Sequence, residues 1–325
     1  MKSFEEIYKE FNNDDLIIQA ENKALEQRKK HNIITLLICL ILNLTFGVGC
    51  VIASELMGLL AIIIVNIIII IARNSALNKK RNLLIPFFKE QIIKKMINNF
   101  FGETQYYYNK GILEKDYNEA EYNEPYDIFV SDDYIQAKID NRYTINIADV
   151  NTQKWEEKSD GGYYRYRVFH GLFTKIILNE VINCKLRITS NKNNEKLHKD
   201  KVEMDYSDFE NNFNVFSTDK IIAMQLLTSD VMEELLKFKN IIKDDFDIFI
   251  EQNNLYLRFH CGNMFEMDLI QSSLNKSISN IIKSEIEELG RGILDEKSLK
   301  LYYDILKFTY DLSNKLIKVI NEVEL

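Results

Sequence analysis

The feature that most constrains this chain is a long apolar tract at residues 33–73, IITLLICLILNLTFGVGCVIASELMGLLAIIIVNIIIIIAR. Forty residues of it, Ile33–Ala72, contain one charged side chain, that of Glu55. A transmembrane helix needs about 20 apolar residues, so the tract is long enough for two helices. We therefore expect a transmembrane hairpin with antiparallel spans at Ile33–Ala53 and Leu56–Ala72 and a tight turn near Glu55.

Two other interpretations of the tract fit the sequence less well. A secretory signal peptide carries its apolar core near the N-terminus, whereas 32 mostly polar residues precede this one. A buried hairpin of a soluble domain would show a polar face, but the segment AIIIVNIIIIIA has none at a period of 3.6 residues. The membrane hairpin is the interpretation that the pattern favours.

Basic residues flank both ends of the tract, and the expected turn has none. Positive charge near spans favours the cytoplasmic side, so both termini and the main domain are predicted to be cytosolic. The flanking residues are Arg28, Lys29, Lys30, Arg73, Lys79, Lys80 and Arg81.

Asn43 and Asn66 interrupt the two expected spans. An ion or substrate path would explain them, but two helices alone cannot enclose a pore. A single hydrogen bond across the hairpin, worth about 1 kcal/mol, is the simpler interpretation.

Charge and cysteine content narrow the class of protein. The net charge of −8 and pI near 5.3 argue against a nucleic-acid-binding protein, which usually has a basic surface. Of the four cysteines, Cys39 and Cys50 lie in the apolar tract, and Cys184 and Cys261 are far apart. This spacing gives no disulfide framework and suits a reducing compartment.

The segment Leu83–Phe101, LLIPFFKEQIIKKMINNFF, repeats apolar residues every three or four positions. It could lie on the membrane with Lys89, Lys94 and Lys95 among anionic headgroups, or form a stalk packed on the following domain. Its sequence leaves both open.

From about Tyr122 apolar and polar residues alternate, which predicts half-buried strands. FDIFIEQ and NLYLRFHC are expected to form a hairpin with its turn at Asn253 and Asn254, and NTQKWEEKSDGG and NKNNEKLHKDK to be surface loops. Trp155, in the first of these loops, is expected to fold back on the sheet. The predicted fold class is α+β, with an antiparallel sheet (a sandwich or half-open barrel) and packed helices.

Helices are expected before and after the last strands. Asp219 and either Ser229 or Asp230 are typical N-caps of successive helices. The chain should end in helices at Gln271–Leu289 and Glu296–Glu322, the second packed on its own domain. The expected organisation is an N-terminal arm at 1–32, the hairpin at 33–73, a juxtamembrane helix and connector at 74–121, the α+β domain at 122–270 and C-terminal helices at 271–325.

Motifs of catalysis and cofactor binding are missing from the sequence. It contains no G-x-x-x-x-G-K-[ST], H-E-x-x-H or G-x-S-x-G pattern. The four histidines have no spacing typical of a zinc site, so no metal or cofactor is expected. The paired acids at Asp132 and Asp244 are expected on solvated faces or turns.

The segment YYRYRVFH is the strongest candidate for a binding site. Tyr and Arg are enriched where proteins bind partners, and Arg165 and Arg167, on one face of the strand, could hold an anion together. The opposite face carries Tyr164, Tyr166 and His170. The alternative is cross-strand tyrosine packing with both arginines solvated. The candidate ligand- or partner-binding residues are Tyr164, Arg165, Arg167 and His170.

Two stretches resemble a bacterial membrane-protein family known as domain of unknown function 3137. One is a Phe-x-Gly-Leu-Phe strand end. The other is an acidic-Phe-x-x-x-Phe-x-Val-aromatic pattern that closes on Asp219. The matching residues are Phe169, Gly171, Leu172, Phe173, Asp208, Phe209, Phe213, Val215, Phe216, Ser217 and Asp219.

The resemblance implies two N-terminal spans before a cytosolic α+β region, and a LemA-type membrane protein as partner. The chain departs from the family at Lys220–Gln225, KIIAMQ, where members tend to carry an acidic-Ala-Arg triplet. Phe209, Phe213 and Phe216, at i, i+4 and i+7, are expected to form one helical face in the core.

The predicted function is that of a membrane-anchored cytosolic binding or scaffolding protein, more consistent with a non-enzyme. Its expected partners are the lipid bilayer and a membrane protein, without nucleic acid, and homo-oligomerisation is left open. The alternative is an enzyme or regulatory sensor for an anionic membrane-proximal ligand, with a cleft beside the strand Tyr164–His170.

Overall fold

The computed structural model describes residues 1–52, 64–69, 71, 72, 75, 84–122, 124–159, 161–190, 200–242, 244–265 and 295–322. It divides into two compact units. One contains Lys94–Glu266, Lys300–Leu325 and Met1, and the other contains Lys2–Ile93 and Met267–Leu299.

Two helices begin the chain, α1 at Phe4–Asn13 and α2 at Asp15–Ile52. A capping box starts α1: the Ser3 hydroxyl accepts from the Glu6 amide at 3.2 Å, and the Glu6 carboxylate accepts from the Ser3 amide at 2.8 Å. The N-terminal arm is therefore helical, with a break at Asp14. Helix α2 then continues without interruption from the arm into the apolar tract.

Most of the side chains at residues 33–44 of α2 are exposed, and residues 64–69 are also helical. The side-chain amide of Asn66 donates to the side-chain oxygen of Asn43 at 2.9 Å, which is the expected hydrogen bond. The expected turn and parts of both spans lie outside the described residues. Within the described residues, no helix combines the length and the hydropathy of a membrane span.

Residues 84–88 are helical and lead into a π-helical turn at Lys89–Ile93 and then α3 at Lys94–Phe101. Lys89 is 2% exposed, so its side chain is buried. Several apolar side chains of this segment are buried as well. They are Phe88, Ile92, Ile93, Met96, Ile97, Phe100 and Phe101.

The described residues form one open, seven-stranded antiparallel sheet, which confirms the α+β class and replaces the expected sandwich or half-open barrel. Its order is β1-β2-β3-β4-β6-β5, and β7 pairs separately with β4. The strands are β1 (Gln105–Tyr107), β2 (Ile128–Ile139), β3 (Tyr143–Glu157), β4 (Tyr163–Thr189), β5 (Lys201–Val202), β6 (Asn214–Ser217) and β7 (Phe246–Phe259).

Strand β4 organises the sheet because it pairs with three others. Its first half pairs with β3, its last residues pair with β6, and β7 follows it from Leu172 to Thr189. At residues 172–177 β4 has β3 and β7 as neighbours, so these two strands occupy opposite edges of it.

Two strand predictions were wrong. The expected loop around Trp155 is the end of β3, which stays paired with β4 as far as Glu157. The expected hairpin at Asn253 and Asn254 is part of the single strand β7, in which Gln252 adopts a φ of 54°. An irregular register beside β4 accommodates this residue without reversing the chain. The second expected loop, at residues 191–201, lies mostly outside the described residues.

The remaining helices are α4 (Glu114–Asn118), α5 (Ser207–Asn212), α6 (Lys220–Leu226), α7 (Ser229–Ile242) and α8 (Glu296–Glu322). Asp219 caps α6 as expected, accepting from the amides of Ile221 and Ile222 at 2.9 and 3.1 Å. The cap of α7 is Thr228, whose hydroxyl accepts from the Val231 amide, so neither Ser229 nor Asp230 fills this role.

The expected helical face of three phenylalanines was also wrong. Phe209 lies in α5, Phe213 is extended at its C-cap, and Phe216 lies in β6. All three are nevertheless buried, and Phe213 stacks on Phe209 at 4.8 Å between ring centroids. Their apolar spacing fits a helix followed by a strand as well as one long helix.

The C-terminal helix α8 has the predicted bounds and packs on its own domain, as expected. Phe308 of α8 stacks on Phe238 of α7, and both rings contact Phe246 and Phe259 of β7. The other expected C-terminal helix, Gln271–Leu289, lies outside the described residues.

Candidate functional site

Strands β3 and β4 extend beyond their neighbours as a two-stranded ribbon, in which Lys154–Glu157 pair with Tyr163–Tyr166 and Arg167 pairs with Gln153. Strand β2 pairs with β3 only as far as Gln153, and β7 joins β4 only at Leu172. Among the described strands, therefore, none covers either edge of the ribbon. We call this element the aromatic ribbon.

The aromatic ribbon exposes four large aromatic side chains. The exposed fractions are 48% for Trp155, 66% for Tyr163, 41% for Tyr164 and 37% for Tyr166. The guanidinium carbon of Arg165 lies 5.6 Å from the Trp155 ring centroid, and the rings of Tyr164 and Tyr166 are 6.0 Å apart. These contacts hold the side chains against one another on the outside of the protein.

The Tyr164 hydroxyl donates to the Glu156 carboxylate on the facing strand. This hydrogen bond raises the pKa of Tyr164, because it is made by the protonated phenol to a negative acceptor. Tyr164 is therefore kept as a neutral hydrogen-bond donor.

The predicted faces of this strand are changed by a β-bulge. The register shifts between Thr152 and Gln153, so that Val168 has no partner on β3. Arg167 before the bulge is exposed, whereas Phe169 after it is 1% exposed. The two faces predicted for this strand therefore do not continue past Arg167, because a bulge interrupts the alternation.

Of the four candidate binding residues, the structure places Tyr164, Arg165 and Arg167 on the aromatic ribbon. His170 lies beyond the bulge, where its Nε2 atom contacts the side-chain oxygen of Asn263 and its carbonyl accepts from the Gly262 amide. His170 is thus part of the connection between β4 and the end of β7 rather than of the ribbon.

A buried charge network lies on the face of β4 and β7, and no pattern in the sequence indicates it. Arg258 is 3% exposed and donates to Asp247 at 3.0 and 2.6 Å and to Glu124 at 2.7 and 3.1 Å. Its guanidinium carbon lies 3.8 Å from the centroid of the Tyr122 ring. Burial alone would lower the pKa of Arg258, but the charges of Asp247 and Glu124 raise it.

A second buried arginine, Arg187, lies near the same tyrosine ring. It is 8% exposed, donates to the carbonyls of Ala120 and Glu121, and contacts the rings of Tyr122 and Phe249 at 5.3 and 4.7 Å. Burial lowers the pKa of Arg187. The Tyr122 ring therefore lies near two guanidinium groups.

These arginines, together with two lysines, fasten the segment 114–126 to the sheet. Lys175 pairs with Asp116 and Glu119 at 2.7 and 2.5 Å, and Lys185 pairs with Glu121 at 3.0 Å. We call this segment the acidic strap. It follows that a negatively charged, tyrosine-rich segment covers a positively charged part of the sheet.

The acidic strap lines an open cleft of about 620 Å³. Its walls are carboxylates, tyrosine rings, one amide and one proline, all from the strap itself. The lining residues are Glu114, Tyr117, Asn118, Glu121, Tyr122, Glu124, Pro125 and Tyr126. The cleft expected beside Tyr164–His170 coincides neither with this cleft nor with a polar pocket near Gly102 and Asn141.

Three carboxylates also converge elsewhere on the sheet. Oxygen atoms of Asp132, Asp133 and Asp149 lie within 4.8 Å of one another, and Asp133 accepts from the Tyr106 hydroxyl. Placing this acidic pair on a solvated face was wrong for Asp133, which is fully buried. Each of the three has a partner in the protein, and nothing in the structure assigns a cation to them.

Comparison with known proteins finds a family model that matches part of the chain. Residues 167–301 match the family model "Protein of unknown function (DUF3137)", which confirms the resemblance seen in the sequence. No curated protein matches. A solved structure, that of the mycobacterial trehalose monomycolate transport factor A, TtfA, aligns at 9% identity and a TM-score of 0.33, over 66% of this chain and 94% of that one.

Proposed function

We propose that this chain, with its DUF3137 region at residues 167–301, is a membrane-anchored binding protein of the bacterial inner membrane. In this proposal the apolar tract holds it in the bilayer, and the aromatic ribbon contacts a membrane-protein partner from the cytosolic side. The observation that carries the proposal is the ribbon, because it exposes Trp155 and three tyrosines on an uncovered pair of strands.

The composition of the ribbon supports a protein partner. Tyr, Trp and Arg are the residues most enriched at binding hot spots, and here Trp155 and Arg165 contact each other. The β4 edge of the ribbon could also pair with an added strand, whereas on the β3 edge the Trp155 amide already donates to the Asp127 carboxylate at 2.8 Å. A partner would therefore gain both aromatic contact area and main-chain hydrogen bonds.

The exposure of the apolar tract supports the membrane anchor. Leu36, Leu37 and Ile38 are 65%, 51% and 43% exposed, and three successive helical positions turn through roughly 200°. An apolar surface this wide around one helix is unfavourable in water and suits lipid. The hydrogen bond between Asn66 and Asn43 is consistent with two antiparallel spans.

A change of the ribbon tests the binding role. In the variant Trp155→Ala/Tyr166→Ala, the partner captured by crosslinking in native membranes should be lost, because two of the contact rings are removed. Both rings are exposed, so their removal should have little effect on folding. The control is Val130→Ala/Val181→Ala, which removes two exposed apolar side chains elsewhere. A partner captured equally by wild type and by the ribbon variant would contradict the proposal.

A change of the tract tests the anchor. Leu37→Lys with Ile41→Lys places two charges on one exposed side of α2, at a cost of about 3 kcal/mol each within a bilayer. The wild-type protein should stay in the membrane pellet after an alkaline wash, and the double variant should be depleted from it. Gln19→Lys with Glu26→Lys, on the polar part of α2, is the matched control.

A second function is favoured by the two ribbon arginines. Arg165 and Arg167 are both exposed, and within the described residues neither forms an ion pair with a carboxylate. They could hold an anionic ligand near the membrane, as a sensor would. Arg165→Ala/Arg167→Ala should then abolish the thermal shift caused by inorganic phosphate, while Trp155→Ala should not. An unchanged shift would dismiss this second function.

A further inference from the structure

The aromatic ribbon has one occupied edge and one uncovered edge. On the β3 edge the Asp127 amide donates to the Gln153 carbonyl at 2.9 Å, and the Asp127 carboxylate accepts from the Trp155 amide at 2.8 Å. On the β4 edge the Gly262 amide donates to the His170 carbonyl at 3.1 Å. Between that bond and the ribbon turn, no described strand lies against β4 on this side.

The two contacts of Asp127 also establish which backbone groups face the uncovered edge. In an antiparallel pair of strands, two directly opposite residues point their N–H and C=O groups either toward each other or both away. Gln153 and Trp155 use such groups on the far side, at Asp127, so their partners Arg167 and Arg165 direct theirs away from β3. The uncovered edge therefore presents the N–H and C=O groups of the two arginines.

The side chains of Arg165 and Arg167 lie beside those backbone groups. Both are exposed, and within the described residues neither forms an ion pair with a carboxylate. Residues two apart on a strand share a face and are separated by roughly 7 Å. Glu157 shares this face but lies at the turn, opposite Tyr163. The face thus carries two cations and one anion.

These charges disfavour a second copy of the chain as the occupant of the edge. If two such edges paired antiparallel about Arg165 or Arg167, that arginine would lie opposite itself, and like charges in this position are destabilising. A strand with carboxylates at two alternate positions would instead place one opposite each arginine. The residue between them would lie on the other face, beside the exposed rings of Tyr164 and Tyr166, where aromatic and β-branched side chains pack well.

We propose that the uncovered β4 edge of the aromatic ribbon binds an extended acidic segment of a partner protein as an added strand. Two alternate carboxylates of the segment lie opposite Arg165 and Arg167, with an aromatic or β-branched residue between them. The inference rests on the proposed function, whose partner it describes chemically. Main-chain hydrogen bonds hold the segment, and the two ion pairs select it. The added strand occupies the side of β4 that β7 occupies from Leu172 onward.

Two peptides that differ only in charge test the proposal on the detergent-purified full chain. The acidic peptide is TVEYEVT, and the neutral control is TVQYQVT. Trp155 is the one tryptophan of the sequence and is exposed on the ribbon, so its emission reports binding there. The acidic peptide should bind saturably and roughly fivefold more tightly than the neutral one, and this advantage should decrease as salt is added.

Two substitutions of Arg165 separate the main-chain contribution from the charge. Arg165→Gln removes one cation and should weaken binding of the acidic peptide about two- to fivefold. Arg165→Pro also removes the outward N–H group. Proline is tolerated on an edge strand where that group faces solvent, so this variant should keep the wild-type circular dichroism spectrum and lose saturable binding.

A matched pair of double variants controls for net charge. Arg165→Gln/Arg167→Gln should remove the preference for the acidic peptide, because both ion pairs are lost. Lys138→Gln/Arg142→Gln makes the same change in net charge at two exposed cations near the opposite ends of β2 and β3. Its affinity should stay within about twofold of wild type, since the ribbon is unchanged.

Absence of saturable binding of the acidic peptide, equal affinity for the two peptides, or a preference that survives in Arg165→Gln/Arg167→Gln would overturn the proposal. Sedimentation of the chain as a dimer that Arg165→Pro dissociates would also overturn it, in favour of a second copy. The crosslinking test of Trp155→Ala/Tyr166→Ala remains separate. If that variant loses the captured partner while the acidic peptide does not bind, the proposed function stands and this inference fails.

Discussion

Arg258 and Asp247 form a fully buried ion pair, with the guanidinium Nε and Nη2 atoms 3.0 and 2.6 Å from one carboxylate oxygen. Removing one partner of such a pair leaves the other charged and unpaired in the interior. Arg258→Met should therefore lower the free energy of unfolding by about 3–5 kcal/mol, measured by urea denaturation.

The exposed pair of Lys185 and Glu121 is the control for that prediction. Both side chains are about half exposed, so Lys185→Met should cost less than about 1 kcal/mol. Equal costs for the two substitutions would show that the buried pair contributes no more than a surface pair.

His260 makes stability depend on pH. Burial, followed by the nearby charge of Arg258, lowers the pKa of His260 below its ordinary value of 6.5. The unfolded chain therefore takes up the proton more readily, so the stabilising effect is present above pH 6.5 and is lost as the pH falls through the folded-state pKa. The urea midpoint should decrease between about pH 7.5 and about pH 5.

His260→Gln should flatten that decrease, because the titrating group is gone. Asp247 contributes separately at lower pH: despite its burial, the charge of Arg258 keeps its pKa below 3.8, so its contribution is lost only as the pH falls below that value. A midpoint that falls equally in wild type and His260→Gln would assign the effect to other groups.

Gly171 occupies a position where two strands approach each other too closely for a side chain. A Cβ atom there would lie 1.8 Å from the Phe259 carbonyl oxygen and 2.8 Å from the Cys261 amide nitrogen. Gly171→Ala should cost about 3 kcal/mol or more in thermal or urea unfolding, since β7 must move away from β4.

Gly161→Ala is the comparison for Gly171→Ala. Gly161 lies in the turn of the ribbon, where a Cβ atom would have no other atom within 4 Å, but its φ is +83°. The backbone preference alone should cost about 1 kcal/mol. If Gly171→Ala were no more destabilising than Gly161→Ala, the close approach would be ruled out as the reason for this glycine of the family motif.

The two N-cap residues Asp219 and Thr228 should contribute unequally to stability. Asp219 accepts two amide hydrogen bonds, whereas Thr228 accepts one at 3.4 Å. Asp219→Ala should destabilise the protein by about 1 kcal/mol, and Thr228→Ala by less, in the same unfolding assay. The reverse order would show that the long Thr228 contact is the stronger cap.

The strands could be predicted from the sequence because their apolar residues alternate, and the predicted bounds of α8 were met because its three-to-four spacing is uninterrupted. Prediction failed where one residue breaks the period. Val168 adds a bulge that separates Arg167 from Phe169, and Gln252, with a φ of 54°, lies in an irregular register against β4 where a turn was expected. No local sequence signal marks either irregularity, because strand register depends on the partner strand.

The site was harder to predict than the strands. Exposed aromatics and arginines identified the ribbon, but Trp155 was placed in a loop because its polar neighbours resemble one. The network around Arg258 was missed because its partner Glu124 lies more than a hundred residues earlier, so only the folded sheet brings them together. The cleft of the acidic strap was missed for the same reason.

The most direct test of the membrane-anchored account is thiol labelling of the ribbon turn in intact cells. Ser159 is exposed there, so Ser159→Cys is introduced into a chain whose four cysteines are alanine. The account predicts that a membrane-impermeant reagent labels this thiol only after the cells are opened and that the labelled protein sediments with the membranes. Labelling in intact cells, or labelled protein that stays in solution, would contradict it.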